Sequence, residues 1–213
     1  MIKICRAVIF ICFSLAFVNA QDELEIKNPD YMPFHTKLLW GENGLVKKMN
    51  LAPESRQKEL ELRVKMLQTH QKLALVSLGL LAYQYSLGLE LSDGNYSNLS
   101  NHRTFSKVTW SAYMTSASLS YFAPPALVYE KKVSSMKIHR WLSYLHFVGM
   151  MSVPILGKNI ASSTNRSAAL ATHQDVATVT LVSMLLSGLL TILPYYEIYY
   201  SSFICIIFKL SDL

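Results

Sequence analysis

Four histidines stand near the start of four apolar stretches: His70, His102, His139 and His173. The gaps between them are 32, 37 and 34 residues, each about one membrane span plus a loop. Spans that alternate in direction put His70 and His139 at one membrane face and His102 and His173 at the other. Imidazole is an axial ligand of haem iron, and facing helices of a bundle supply such ligands. Two imidazole pairs at two depths are therefore a ligand set for two haems, through which an electron can cross a bilayer. Two axial histidines saturate the iron, which suits electron transfer and leaves no open position for oxygen or substrate.

An ionisable residue in or near a span is a functional candidate by default. One histidine at a span end is commonly just an interfacial polar group; four at corresponding positions shift the balance. His146 competes with His139 for the ligand role. It follows by seven residues, so it lies on nearly the same helix face and about 10 Å deeper. Its other readings are a hydrogen bond to a haem propionate or a packed polar residue bonding across helices. The repeated position favours His139. Zinc is the rival metal, but it takes tetrahedral sites with thiolate or carboxylate help. Asp175 could assist His173, and nothing similar assists the other pair. His35 reads as ordinary surface.

The elements that must carry these residues follow from composition. The 213 residues are 51% hydrophobic and 16% charged, with mean hydropathy +0.24, which is the membrane class rather than an ordinary soluble domain. The net charge of +6 comes from basic residues flanking apolar runs, as in span flanks, so the expected partner is membrane lipid and not nucleic acid. Continuous apolar runs without period-two alternation select helices, the spanning form that satisfies its own backbone. The expected fold is all-α: a four-helix up-down transmembrane bundle preceded by a cleaved signal peptide and a short extramembrane segment. The spans are predicted at about 70–91, 108–129, 138–157 and 172–194. The second, rich in Ser, Thr and Ala, suits close helix packing. Pro124-Pro125 bend or end it.

Residues 1–20 read as the signal: Lys3 and Arg6, an apolar run from Ala7 to Val18, then small residues to Ala20. Residues 21–66 form the extramembrane segment, with Trp40 expected at headgroup level and a helix leading into the membrane from Glu54 to Leu67. Residues 67–196 form the transmembrane domain, and a belt of Tyr195, Tyr196, Tyr199 and Tyr200 follows Pro194, running into the tail. Residues 197–213 are a tail. Cys205 is the one cysteine after the signal, so no internal disulfide is expected there. There is no C-x-x-C-H, so any haem is held without covalent attachment. No soluble-type repeat or low-complexity tract stands out.

Thr69-His70-Gln71, Asn101-His102-Arg103, Lys137-Ile138-His139-Arg140-Trp141-Leu142 and Thr172-His173-Gln174 give the chain a resemblance to the cytochrome b561 family. The third stretch is the most specific: a histidine two before a tryptophan at the mouth of a span is similar to that family's Leu-His-Ser-Trp motif. The resemblance covers about 70–195. It implies a four-helix core with one ligating histidine per helix, the first pairing with the third and the second with the fourth, and two non-covalent b haems. The family's plant and animal members have six helices and bind ascorbate through basic residues where the first core helix ends. Here that helix ends Tyr83-Gln84-Tyr85-Ser86-Leu87-Gly88-Leu89-Glu90, without a basic residue, so the electron donor is left open. Of the glycines that give a porphyrin room, Gly79, Gly149 and Gly188 are the candidates.

The resulting expectation is transmembrane electron transfer by a b-type cytochrome, with His70 and His139 on the outer haem and His102 and His173 on the inner. Lys131, Lys132, Lys137 and Arg140 are span anchors or partners for propionates or an anionic redox partner. The protein is expected to be multi-pass in an inner or plasma membrane, its N-terminal segment extracytoplasmic. This orientation puts the loop with Lys131, Lys132, Lys137 and Arg140 outside and the loops with Arg103 and Lys107 and with Lys158 and Arg166 inside, whereas the positive-inside rule prefers the reverse; signal cleavage decides for the first. The alternatives are a haem-free membrane scaffold or interaction subunit and a one-haem, quinone-linked anchor. Donor, acceptor, enzymatic (oxidoreductase) status and homodimer formation are left open.

Overall fold

The computed structural model describes residues 26–129 and 134–192. The expected signal at 1–20, Lys131, Lys132, the tyrosine belt and the tail with Cys205 lie outside the described residues. Among the described residues the fold is all-helical, with one isolated bridge between Lys27 and Val128. The helices are α1 (Phe34–Trp40), α2 (Leu45–Lys48), α3 (Arg56–Ser92), α4 (Leu99–Tyr121), α5 (Ser135–Asn159) and α6 (Arg166–Ile192). Short 3-10 turns occupy Pro29–Tyr31 and Tyr96–Asn98.

Helix boundaries depart from the sequence reading in instructive ways. The juxtamembrane helix and the first span are one 37-residue helix, because no Gly or Pro interrupts the chain between Pro53 and Gly79. At 1.5 Å per residue α3 is about 55 Å long, against about 30 Å of bilayer hydrocarbon. Its charged first turns, Arg56 to Lys65, are surplus to any crossing. α4 starts at Leu99 rather than near 108, since the turn at Gly94, with φ of 88°, leads into it through the Asn95-capped 3-10 turn Tyr96–Asn98. It ends at Tyr121, so Pro124-Pro125 follow the helix rather than bend it. α5 is capped by Ser134, whose hydroxyl accepts from the Lys137 amide at 3.3 Å. Asn165 caps α6, its side-chain oxygen accepting from the Ala168 amide at 3.1 Å. Two helices, Arg56–Ser92 and Arg166–Thr191, are long and apolar enough to cross a membrane.

The chain divides into two compact units. One comprises 26–71 with 116–129. Here the carbonyls after α4 lack helical donors, and prolines interrupt the ladder. Side chains from the N-terminal segment and α3 supply the donors. Trp40 Nε1 donates to the Phe122 carbonyl at 3.1 Å. Arg56 donates to Pro125 and Ala126 at 2.8 and 3.2 Å, and Arg63 to Pro124. The Lys27 backbone amide adds a donor to the Leu127 carbonyl at 2.7 Å. Trp40 is buried in this unit, with its indole N–H satisfied by that carbonyl.

The other unit comprises 72–115 with 134–192. Along it α5 packs on α6. Gly149 permits their close approach: a Cβ there would fall 2.9 Å from Thr180 Cβ. Ser77, Thr109, Thr180, Ser183 and Ser187 are buried, while Val76, Val148, Ile155, Val179 and Leu185 are exposed. Small polar residues inward and branched apolar residues outward invert the pattern of a water-soluble core. It is the arrangement that suits helices packed in lipid.

Candidate metal centre

His102 lies in the first turns of α4 and His173 in the second turn of α6. Their ring centroids are 6.4 Å apart, with planes at 72°. Two imidazoles that would share one metal through bonds of ~2.0 Å, each ring centre ~1.2 Å behind its nitrogen, would have ring centres up to about 6.4 Å apart. The observed separation matches. Gly88 faces the His102 ring, where a Cβ would meet Cε1 at 3.3 Å. Gly157 faces His173, where a Cβ would meet Cε1 at 3.1 Å. Both glycines bring a helix backbone against a ring edge. Neither was among the glycines singled out by sequence. Of those, Gly79 has nothing within 4 Å of a notional Cβ, Gly188 only Leu78 at 3.9 Å, and Gly149 serves the α5–α6 contact. The resemblance points to glycines soon after each histidine on its own helix. Gly88 and Gly157 instead approach from the helix preceding the histidine.

The second nitrogen of each ring is engaged on a neighbouring helix. His173 Nδ1 donates to the Val153 carbonyl at 3.1 Å. His139 Nδ1 donates to the Ser187 carbonyl at 3.0 Å, with the Ser187 hydroxyl 2.8 Å away. In the first unit His70 Nδ1 donates to the Ser116 carbonyl at 2.9 Å, with that hydroxyl 3.1 Å away. A main-chain carbonyl only accepts, so each of these three Nδ1 atoms carries a proton, and in the neutral tautomer the lone pair is on Nε2. That is the tautomer and the outer support found around metal-ligating histidines. His102 differs. Its Nδ1 faces the Gln84 side-chain amide nitrogen at 3.2 Å, and the same nitrogen donates to the His102 carbonyl at 2.9 Å.

These contacts share one register. His70, Gln84 and Gly88 correspond to His139, Val153 and Gly157, each 69 positions on (70 against 139, 84 against 153, 88 against 157). His102, Thr109 and Ser116 correspond to His173, Thr180 and Ser187, each 71 positions on (102 against 173, 109 against 180, 116 against 187). Thr109 and Thr180 are both fully buried. The α3–α4 and α5–α6 segments are thus two copies of one helix-pair pattern. It escaped the sequence reading because only a few small residues and the histidines recur.

His146 is buried, its Nδ1 2.7 Å from the Tyr113 hydroxyl. The rings meet edge to face, centroids 5.6 Å apart. Asp175 is exposed; two residues from His173 on a helix, it points to the other side. Among the described residues no group of three or more His, Cys, Asp or Glu could hold a metal. His35 packs edge-on against Tyr121, centroids 5.2 Å apart. Lys137 and Arg140 stand on the first turns of α5 beside His139. No family model, curated protein or solved structure matches the chain.

Proposed function

We propose that this chain is a multi-pass membrane b-type cytochrome carrying electrons across a bilayer. The observation that carries the reading is the His102–His173 pair, whose ring centres lie 6.4 Å apart and which would hold a haem iron between them. The outer support of His173 and the glycine beside each ring favour it as well. A second haem on His70 and His139 is an expectation from their spacing alone; each Nδ1 is held by a serine carbonyl within its own unit. Haem supplies a one-electron couple when bound. The protein's part is to fix the imidazoles, exclude water from them and set the polarity around them.

Four spans, α3 to α6, would form the bundle, supported by the inward small polar residues and outward apolar ones of the second unit. A cleaved signal would leave the N-terminal segment extracytoplasmic. The test is haem content and the reduced-minus-oxidised spectrum of the purified protein. Two haems b per chain is the expected result. One per chain would make it a single-haem anchor, and none would make it a haem-free membrane protein.

A further inference from the structure

The two halves of the helix-pair pattern differ where they touch the His102–His173 pair. At His173 the acceptor for Nδ1 is the main-chain carbonyl of Val153. At the corresponding place beside His102 stands the side chain of Gln84, buried between α3 and α4. Its amide nitrogen is shared between His102 Nδ1 and the His102 carbonyl, while its Oε1 is buried without a hydrogen-bond partner. A buried amide oxygen without a donor is costly and calls for a reason.

We propose that Gln84 is the positioning residue that sets the tautomer of His102 and makes the two ligands of this pair inequivalent. This rests on the haem reading above. With the amide nitrogen toward the ring, Nδ1 must accept, and the proton sits on Nε2, the nitrogen that would ligate. Turning the amide by 180° presents Oε1 to Nδ1–H. That satisfies the buried oxygen and moves the lone pair to Nε2. The turn gives up the bond from the amide nitrogen to the His102 carbonyl. His102 therefore enters ligation with an amide that must reorient, whereas Val153 offers His173 an acceptor that cannot change character. Because the hydrogen bond at Nδ1 tunes how strongly Nε2 donates to a metal, a side chain here is an adjustable control on one haem only.

The test compares wild type with Gln84→Met, which keeps the length and removes both amide groups, and Gln84→Glu, which places a permanent acceptor at Nδ1. Haem per chain, the redox titration and the reduced spectrum are read on the full chain in detergent. In Gln84→Glu one of two midpoints should fall while the other stays, since a carboxylate at Nδ1–H makes the imidazole a stronger donor. In Gln84→Met one haem should be lost or weakened and the other retained. Where Gln84→Glu fails to fold, Gln84→Met carries the decision, and circular dichroism reports folding. Wild type without haem ends both readings. Wild type with two haems, and Gln84→Met with both midpoints and both occupancies unmoved, ends this one alone.

Discussion

Gly157 sits against the imidazole of His173, where a Cβ would lie 3.1 Å from Cε1 and 3.4 Å from Nδ1. The ring is fixed from two sides, by that backbone and by the Val153 carbonyl four residues earlier on the same helix. Gly157→Ala should push the ring off its position, at an overpacking cost of about 1–3 kcal/mol. Gly88→Ala should do the same to His102 more mildly, since its Cβ would meet Cε1 at 3.3 Å. Thermal unfolding and haem occupancy of the two variants, ranked against each other, check this.

Removing a ligand should separate the haems. His102→Ala and His173→Ala should each lose the same haem, about half the total, and leave the other spectrally intact. His70→Ala and His139→Ala should each lose the complementary half. Pyridine haemochrome assay of the four single variants, with the His102→Ala and His173→Ala double variant as reference, decides it. Spectra that fail to sort into two classes would break the pairing.

Ser116 and Ser187 hold their histidines through the main chain as well as the hydroxyl. Ser187→Ala and Ser116→Ala should therefore be mild, about 1 kcal/mol or less, because the carbonyl stays in place. A loss of haem comparable to that of a ligand variant would show that the hydroxyl carries the contact. Haem titration against each variant reads the difference.

Gly149 and Gly79 make a matched pair of controls for helix packing. Gly149→Ala would force a Cβ into Thr180 and should destabilise the α5–α6 pair by about 1–3 kcal/mol. Thr180→Ala should recover part of that in the double variant. Gly79→Ala meets nothing within 4 Å and, in a helix interior, should stabilise by about 0.5–1 kcal/mol. Denaturation in matched detergent measures all three.

His146 and Tyr113 are joined by a 2.7 Å bond between buried groups. Tyr113→Phe should cost about 1–3 kcal/mol in stability. It should leave haem stoichiometry unchanged. His146→Ala with full haem content would place the ligand role on His139; loss of one haem would place it on His146.

The primary structure by itself determined the all-helical class, the span-like apolar runs and the four-histidine spacing. These are local properties: helix periodicity, breakers and apolar content act within a few residues of chain. Even there, α3 came out continuous and α4 shifted toward its N-terminus, since loop composition marks where a helix stops less firmly than Pro and Gly placement does. Spacing along a helix sets depth at 1.5 Å per residue, but not which way a side chain faces. That rotation comes from packing against other helices. Only the tertiary structure decided that Gly88 and Gly157, rather than Gly79 or Gly188, abut the rings. It also decided that Trp40 is buried against a carbonyl, and that His102 rests on a side chain where its counterpart rests on the main chain. Each is a contact between separate helices or segments, which helix rotation and packing decide and local periodicity does not.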